Sequence, residues 1–427
     1  MNILLLGGGG REHAILRALL KSKDVSRIDV APGNAGICME AICHDVNPVD
    51  TRAVLSLAET FRPDLVLIGP EAPLCAGIAD DLRSAGFAVF GPGRQGAMLE
   101  GSKCFAKAFM RRHSIPTADF DICTSRSEVS AAIAKRRPPF VVKADGLAAG
   151  KGVIVAESPS DAEKAAAAML SGSLGNSGKT LLVEDFLPGD ELTLLTMTDG
   201  ETLRVLAPSQ DHKRVFDRDK GPNTGGMGAF APVPWLTETM KNEINTRILL
   251  PTILGLQSEG IPYRGVLYFG LMIDANGSPS VVEYNVRFGD PETQVVLPLF
   301  GGDFAQAVSA CASGKLGTVP WNISPGYAVD VVISSGGYPG TYETGLPIRG
   351  IREAESSCNV SVLHAGTALR DGRAVTSGGR VLNVVATGDT LDDARERAYR
   401  GTGCIAFDGM HFRTDIARKE RLHQERR

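Results

Sequence analysis

The stretch PFVVKADGLAAGKGVIVA, residues 139–156, does most to decide how this chain folds. Its flanks are rich in β-branched residues and predict two strands, so the glycines between them form the tip of a hairpin. Only three residues separate Gly146 from Gly150, and Gly152 stands where a Walker phosphate loop needs Ser or Thr. A glycine-rich hairpin can still close over a triphosphate through its backbone N–H groups and lysines. The alternative is a flexible hairpin with solvated lysines.

A second glycine-rich stretch, GSLGNSGKT at residues 172–180, also approaches the Walker pattern. Five residues separate Gly172 from Gly178, whereas the Walker loop has four between its first glycine and the Gly-Lys pair. The loop must also lead into a helix whose N-terminus faces the phosphate, but residues 180–183 have the pattern of a strand. We therefore expect a surface loop here.

The first hundred residues alternate short apolar strands with helices. Strands are predicted at residues 2–6, 28–30, 65–68 and 88–90, and a helix follows each of the first three. This βαβ order predicts a parallel sheet with helices on both faces and with ligand loops at the carboxyl ends of its strands.

The loop GGGGREHA, residues 7–14, joins the first predicted strand to the first helix. The dinucleotide pattern G-x-G-x-x-G fails in both registers, because Glu12 or His13 stands in place of the third glycine. A loop at a helix N-terminus still favours anions, so we expect the phosphate of a substrate here. The candidate phosphate-binding residues are Gly8, Gly9, Gly10 and Arg11.

Pattern and length divide the chain into several units, since single cores stop growing near about 250–300 residues. Residues 1–102 form the α/β unit, 121–188 a small α+β module that contains the hairpin, and 328–427 a second small α+β domain. Residues 103–120 and 189–327 form a central unit between them. The expected fold class is therefore a multidomain protein that combines α/β and α+β units.

The strand-like segment VVEYNVRFGDPETQ, residues 281–294, carries the sharpest group of polar residues. Side chains alternate along a strand, so Glu283, Asn285 and Arg287 share one face while the opposite face is apolar. Pairing outward from the Asn276-Gly277 turn places Gly270 opposite Glu283. The carboxylate and amide oxygens suit Mg²⁺ or Mn²⁺. The alternatives are a solvated edge strand, and an arginine that serves only as a partner for Glu283.

Composition restricts the class of partner. The net charge of −4 and a 22% charged, 43% hydrophobic content are typical of a globular protein without attraction to nucleic acid or membranes. No run approaches the ~20 apolar residues of a membrane span, and the first residues do not resemble a signal peptide. The eight cysteines lack paired spacings, which favours buried thiols in a reducing cytoplasm. We expect small-molecule substrates and a monomer.

Taken together, the motifs resemble those of the phosphoribosylamine–glycine ligases, the glycinamide ribonucleotide synthetases of purine biosynthesis, which belong to the ATP-grasp enzymes. The resemblance runs from residue 1 to about 416. The motifs, in chain order, are GGGGREHA (7–14), APGNAG (31–36), IGPEAPL (68–74), LEGSK (99–103), KADGLAAGKGVIVA (143–156), SQDHKR (209–214), GPNTGGMGAF (221–230), EYNVRFGDPETQ (283–294), GGYPG (336–340), HAGT (364–367) and GGRVL (378–382). The resemblance implies an ATP-grasp fold, in which residues 121–188 form the lid.

The resemblance also implies roles for individual residues. It implies that ATP lies under the hairpin loop, with Lys103 and Lys143 on its phosphates and Glu191 on its ribose. Glu283 and Asn285 would hold the metal, and Arg287 would steady the reacting acid. The implied ATP-binding residues are Lys103, Lys143, Gly146, Gly150, Lys151, Gly152, Glu184, Asp185, Phe186 and Glu191, of which the three from Glu184 to Phe186 line the adenine. The candidate catalytic residues are Arg287, Asp290, Asp211 and Lys213.

The implied reaction activates glycine with ATP as glycyl phosphate, which the amine of 5-phosphoribosylamine then attacks. The products are glycinamide ribonucleotide, ADP and phosphate. Three alternatives stay open: another carboxylate–amine ligase of this fold, a nicotinamide-dependent oxidoreductase built on the first unit, and a binding protein without catalytic activity. ADP release with defined substrates, and NADH binding, would discriminate between them.

Overall fold

A five-stranded parallel sheet forms the first unit of the chain. The computed structural model describes residues 1–147, 152–173 and 178–418. The strands of the first unit are β1 (Asn2–Gly7), β2 (Arg27–Pro32), β3 (Ile42–Cys43), β4 (Leu65–Ile68) and β5 (Val89–Phe90). The helices are α1 (Gly10–Leu19), α2 (Ile37–Glu40), α3 (Thr51–Phe61), α4 (Glu71–Ala76), α5 (Ile78–Ser84) and α6 (Arg94–Gly101). The sheet order is β3-β2-β1-β4-β5, so the predicted parallel α/β unit is confirmed.

Both faces of this sheet are buried, as its strand sequence predicts. On β1, Leu4 and Leu6 pack into a core with α3 and α5, whereas Ile3 and Leu5 pack into another with α1. Alternating side chains therefore fix the sheet between helices and leave the loop after β1 at its carboxyl edge. This loop leads directly into α1, and its residues enter the candidate site.

The second unit is a four-stranded antiparallel sheet. After α7 (Lys103–Arg112) come β6 (Phe120–Cys123), α8 (Arg126–Ala134), β7 (Phe140–Ala144), β8 (Val153–Ala156), α9 (Pro159–Ala168) and β9 (Leu181–Asp185). The sheet order is β6-β9-β7-β8. The predicted hairpin is confirmed, because Phe140 pairs with Ala156 and Lys143 with Val153. The GSLGNSGKT stretch leads into β9 rather than into a helix, and residues 174–177 lie outside the described part of the chain.

The central unit carries a second four-stranded sheet and a short hairpin. In chain order its elements are β10 (Asp190–Thr198), β11 (Leu203–Val205), β12 (Gln210–Asp211), β13 (Arg214–Phe216), β14 (Lys220–Asn223), β15 (Gly228–Ala231), α10 (Glu238–Ile244), α11 (Leu250–Ser258), β16 (Gly265–Ile273), β17 (Pro279–Asn285), α12 (Glu292–Val296) and α13 (Phe304–Ser313). The sheet order is β11-β10-β16-β17. Gly270 pairs with Glu283 as predicted, but nearer the turn the strands pair one residue out of the predicted register, and a bulge between Leu271 and Gly270 makes up the difference.

The C-terminal strands share a sheet with two strands of the central unit. The elements are β18 (Tyr327–Ser334), α14 (Ile351–Cys358), β19 (Ser361–His364), β20 (Thr367–Arg370), β21 (Arg373–Thr376), β22 (Arg380–Gly388) and α15 (Leu391–Cys404). The sheet order is β12-β15-β18-β22-β19, so residues 210–231 and 327–388 are joined by backbone hydrogen bonds. Helix α12 lies against this sheet and carries the segment after the candidate metal strand towards it.

Short 3₁₀ and π-helical turns supplement the α-helices. Single 3₁₀ turns span Asp217–Asp219, Leu297–Leu299 and Leu316–Thr318, and π-helical turns span Met169–Ser173 and Asn245–Leu249. In the described part of the chain, no helix has both the length and the apolar composition needed to cross a membrane.

One expectation about the cysteines is wrong. Cys38 and Cys43 form a disulfide across the start of β3, although the sequence suggested buried thiols throughout. A five-residue separation has no distinctive pattern in a chain with eight scattered cysteines, whereas the fold returns the backbone after α2 so that the two residues meet.

Candidate active site

The polar strand face that was predicted to bind a metal is present on β17, and cationic side chains surround it. Glu283 and Asn285 are partly exposed on it, while Tyr284 on the opposite face is buried in the core. Burial alone would raise the pKa of Glu283, but nearby cations hold it below its usual value. These cations are Lys213, Lys143, Lys103 and Arg287. Glu283 is therefore an ionised carboxylate at the centre of a positive site.

The oxygens of Glu283 and Asn285 fit a hard divalent cation. Mg²⁺ and Mn²⁺ take a few protein oxygens and complete an octahedron with water and phosphate oxygens. Among the residues that the structure describes, no cluster of three or more His, Cys, Asp or Glu side chains could hold a metal by itself. Such a site would accordingly rely on the phosphates of a nucleotide for its remaining ligands.

Arg287 lies just beyond the last residue of β17 and is fixed by two acids of the first unit. Its Nη2 lies 3.0 Å from Glu100 Oε1, and its Nε lies 3.4 Å from Glu71 Oε2. Glu100 also accepts a hydrogen bond from the N–H of Val286 at 2.8 Å. Burial opposes the charge, but the acids raise the pKa of Arg287 above its usual value. The ion-pair partners of Arg287 are therefore Glu100 and Glu71. The alternative in which it serves only as a partner for Glu283 is not what the structure shows.

The predicted phosphate lysines lie at the base of the hairpin. Lys103 Nζ donates to the carbonyl of Gly146 at 2.8 Å, and Lys143 Nζ lies 2.9 Å from Glu184 Oε2. Lys107 Nζ lies 2.9 Å from the same oxygen. Burial lowers the pKa of Lys107 to about 8, although Glu184 opposes the shift. A buried carboxylate thus holds two lysines together under the hairpin.

The hairpin itself is tied to the start of α7. Asp145 Oδ1 accepts hydrogen bonds from Ser102 Oγ and from the N–H of Cys104, each at 3.1 Å. The carbonyl of Gly152 accepts from the N–H of Ala144 at 2.8 Å, which closes the hairpin ladder. Of the predicted hairpin ligands, Gly146 and Gly152 are described, whereas Gly150 and Lys151 lie outside the described residues.

The residues expected at the adenine and ribose lie on β9 and β10. Glu184 is buried, while Asp185 lies 3.4 Å from Arg136, measured from Oδ1 to Nε. Phe186 follows directly and leaves 41% of its surface exposed. An exposed aromatic ring beside a lysine cluster is suited to stacking against a base. Glu191 is paired with Lys213, with 3.0 Å between Oε2 and Nζ.

Asp211 ends the short strand β12, and Lys213 follows it in the SQDHKR motif. Asp211 is buried, and burial together with Glu292, Glu191 and Glu283 raises its pKa to about 8, although Lys213 opposes the shift. The pKa of Lys213 is raised well above its usual value: burial opposes its charge, but Glu191 and Asp211 outweigh it. A carboxyl group with a raised pKa therefore lies beside a lysine whose charge is stabilised.

The candidate phosphate loop is arranged differently from the prediction. The N–H of Gly9 donates to Glu12 Oε2 at 2.6 Å, and the N–H of Arg11 donates to Asp290 Oδ2 at 3.3 Å. Two of the donors at the α1 N-terminus therefore already face carboxylates. Arg11 Nη1 donates to the carbonyl of Phe288 at 3.1 Å, so this loop contacts the segment that carries Arg287.

Asp290 lies between the loop and the C-terminal sheet. Burial would raise its pKa, but Arg380, Arg11 and a hydrogen bond from Gln294 lower it. Arg380 Nη1 lies 3.3 Å from Asp290 Oδ1 and donates to the carbonyl of Asp290 at 2.8 Å. The same nitrogen donates to the carbonyl of Gly225 at 2.5 Å. Arg380 thereby joins Asp290 to the GPNTGGMG loop.

Sequence reasoning had assigned no role to four of these residues. Glu71, Glu100 and Arg380 lie within motifs that carried the resemblance, but the motifs do not reveal their partners. Lys107 could have been found, because it lies four residues after Lys103 on one helix face.

Comparison with known proteins places this geometry in a family. Residues 1–100, 101–293 and 328–419 match, in that order, the N domain, the ATP-grasp (A) domain and the C domain of phosphoribosylglycinamide synthetase. A protein of Streptomyces coelicolor named phosphoribosylamine–glycine ligase is 47% identical over 422 residues, which are 98% of this chain and 99% of that protein. The chain belongs to the phosphoribosylglycinamide synthetase family. A Vibrio cholerae protein with the same ligase name is 44% identical, with 97% of each chain covered.

The structure of this chain is also similar to solved structures. The crystal structure of a phosphoribosylamine–glycine ligase from Thermotoga maritima is 35% identical to this chain, with a TM-score of 0.86 and with 98% of this chain and 100% of that chain covered. A biotin carboxylase domain from Hydrogenobacter thermophilus has a TM-score of 0.72 at 17% identity, over 96% of this chain and 91% of that one. The second likeness concerns the fold alone, and the ATP-grasp architecture rests on the family match of residues 101–293.

Proposed function

We propose that the protein is an ATP-dependent ligase that joins glycine to 5-phosphoribosylamine, through glycyl phosphate, to give glycinamide ribonucleotide, ADP and phosphate. One observation supports this most strongly: the carboxylate of Glu283 stays ionised among Lys103, Lys143, Lys213 and Arg287. A site with this excess of positive charge can bind a nucleoside triphosphate and a second anion together. The identity of the two substrates, glycine and 5-phosphoribosylamine, is inferred from the family to which the chain belongs.

The first step is phosphoryl transfer to glycine. A carboxylate oxygen of glycine forms a bond to the γ-phosphorus of ATP, the bond to the bridging oxygen breaks, and ADP leaves. Both partners are anionic, so Lys103 and Lys143 reduce their repulsion and Arg287 orients the glycine carboxylate. Glu100 and Glu71 preorganise Arg287 for this, because two ion pairs leave its guanidinium little freedom.

The family uses a divalent cation, which we assign as Mg²⁺ or Mn²⁺. Glu283 and Asn285 would hold it, and the cation would supply charge neutralisation on the transferring phosphoryl group. The chain itself binds and orients the nucleotide: Phe186 and Asp185 lie at its adenine end, and Glu191 at its ribose. We assign Gly146 and Gly152 to the cover over the phosphates; Gly150 and Lys151, the other predicted hairpin ligands, lie outside the described residues.

The second step is amide formation. The amine of phosphoribosylamine attacks the carbonyl carbon of glycyl phosphate, a C–N bond forms, and the C–O bond to phosphate breaks. The attacking nitrogen must lose a proton, and Asp211 is a suitable acceptor because its pKa lies at about 8. Lys213 would stabilise the ionised form of Asp211 and the developing charge.

The loop Gly8–Arg11 and Asp290 form the side that receives phosphoribosylamine. Carboxylates already accept from the N–H groups of Gly9 and Arg11. The Arg11 side chain is also engaged, with Glu12 and with the carbonyl of Phe288. We therefore assign Asp290 to the donor groups of the substrate, its amine and ribose hydroxyls, and the backbone of Gly8 and Gly10 to its phosphate. The enzyme acts as a monomer in the cytoplasm on small molecules, without nucleic-acid or membrane partners.

The test is metal-dependent ADP release by the purified protein, with glycine and freshly generated phosphoribosylamine each present or omitted. ADP release that requires both substrates and yields glycinamide ribonucleotide is the expected result. Release with a different acid or amine would keep the fold and change the substrate. Absence of release in every mixture would contradict a ligase function.

A further inference from the structure

Three buried polar side chains lie where α1, α12 and the C-terminal sheet come together. Asn383 on β22, Gln294 on α12 and Asp330 on β18 are almost completely excluded from solvent. Asp330 pairs with Val385, so Asn383, two residues earlier on β22, is its diagonal neighbour on the same face of the sheet. Gln294 Nε2 donates to Asn383 Oδ1 at 3.3 Å, which brings α12 onto that face.

These side chains leave an unusual number of buried groups unpaired. Within the described residues, Asn383 Nδ2, Gln294 Oε1 and both carboxylate oxygens of Asp330 have no hydrogen-bond partner. Buried polar groups are nearly always paired, so three neighbouring exceptions need an explanation. A donor amide, an acceptor amide and a carboxyl group are complementary when the carboxyl group is protonated, because it then has one O–H to donate and one oxygen to accept.

The protonated form agrees with the surroundings. Burial raises the pKa of Asp330 well above its usual value, and Asp290 adds to the shift, while Arg380 opposes it. A neutral Asp330 has one O–H donor and one acceptor oxygen, which complement the unpaired acceptor of Gln294 and the unpaired donor of Asn383. The set then has no uncompensated charge in the core.

A continuous line of contacts leads from this set to the loop of the candidate site. Gln294 Nε2 donates to Asp290 Oδ1 at 2.8 Å, and Asp290 Oδ2 accepts from the N–H of Arg11 at 3.3 Å. A Cβ atom on Gly10 would lie 2.3 Å from Asn383 Nδ2 and 2.9 Å from Gln294 Nε2. The two amides therefore rest directly against the first turn of α1, and the absence of a side chain at Gly10 permits this.

We propose that Asp330, Asn383 and Gln294 are positioning residues that hold Asp290 and the first turn of α1 in the geometry that binds the phosphorylated amine. The proposal rests on the proposed function and extends it. The C-terminal sheet, through Asp330 and Asn383, and α12, through Gln294, would thus contribute to substrate affinity from behind the binding loop.

The test compares ligand affinities in the full-length protein by isothermal titration calorimetry. Asn383→Leu removes the acceptor for Gln294 at nearly constant volume. Val384→Thr is the matched control, because Val384 lies on the same strand and is equally buried, but it pairs with Val331 on the opposite face of the sheet, away from the set. We expect Asn383→Leu to weaken binding of glycinamide ribonucleotide by about tenfold or more. We expect ADP binding in the presence of Mg²⁺ to change less than twofold.

A reciprocal double variant separates positioning from simple loss of packing. Asp330→Asn with Asn383→Asp keeps one acid and one amide on the same diagonal, and it keeps an acceptor for Gln294. We expect it to recover most of the lost affinity. Unchanged affinity in Asn383→Leu, or an equal loss in Val384→Thr, would overturn the proposal while the ligase function stood. Failure of the unsubstituted protein to bind glycinamide ribonucleotide would overturn both.

Discussion

Replacement of Glu283 by glutamine tests the balance of charge in the site. The change keeps the size and one oxygen of the side chain but removes the negative charge that faces Lys103, Lys143 and Lys213. Two effects follow: the divalent cation loses its charged protein ligand, and the lysines lose the carboxylate that they surround. Removing one preorganised charge of this kind costs about 3 kcal/mol of transition-state stabilisation, which is on the order of a hundredfold in kcat.

The assay is ADP release as a function of Mg²⁺ concentration. We expect Glu283→Gln to lower kcat by about a hundredfold and to raise the Mg²⁺ concentration for half-maximal activity by about tenfold. Glu201→Gln is the control, since it removes the same charge from an exposed turn between β10 and β11. Thermal unfolding of both variants checks that they fold. A Glu283→Gln enzyme with the Mg²⁺ dependence and turnover of the Glu201→Gln control would refute the assignment of Glu283 to the metal.

Three further predictions follow from the ion pairs and pKa shifts. Glu100→Gln removes the 3.0 Å partner of Arg287 and should raise the KM for glycine by about tenfold with little change in the KM for ATP; equal changes in both would contradict the assignment of Arg287 to glycine. If Asp211 is the base, kcat should rise with pH up to about 8, and Asp211→Asn should lower kcat and remove this rise; a rise that persists would exclude Asp211. Because the pKa of Asp330 is raised in the folded state, its protonated form favours folding at low pH, and this contribution to stability is lost as the pH rises through the folded-state pKa. Asp330→Asn should therefore raise the melting temperature more at pH 9 than at pH 6. The reverse order, measured by differential scanning fluorimetry, would contradict a neutral Asp330.

Local pattern predicted much of the fold. The Asn276-Gly277 turn predicted the hairpin and the pair Gly270–Glu283, but the bulge that brings these two residues opposite each other was not predictable from the turn. The β-branched flanks of the glycine-rich segment were sufficient to predict its hairpin, and the alternation of strands and helices in the first hundred residues was sufficient to predict the parallel sheet. The shared sheet of β15 and β18 was not predictable, because its strands are separated by about a hundred residues and each is short.

In the candidate site too, local sequence pattern predicted which residues share a strand face but not their contacts with distant parts of the chain. Alternation along β17 placed Glu283, Asn285 and Arg287 on one face, but it could not reveal that Glu100 and Glu71 hold Arg287, since these acids come from another unit. The occupied N-terminus of α1 could have been anticipated. Glu12 stands three residues after Gly9, which is the spacing of a capping box.

The most direct test of the account follows the oxygen atoms of glycine. Glycine labelled with ¹⁸O in both carboxylate oxygens is turned over with ATP and phosphoribosylamine, and the inorganic phosphate is analysed by ³¹P NMR. Activation as glycyl phosphate requires that one labelled oxygen pass to each phosphate released, while the other remains in the amide of glycinamide ribonucleotide. Amide product formed with unlabelled phosphate would contradict the acyl phosphate route and, with it, the roles assigned to Arg287 and the lysines.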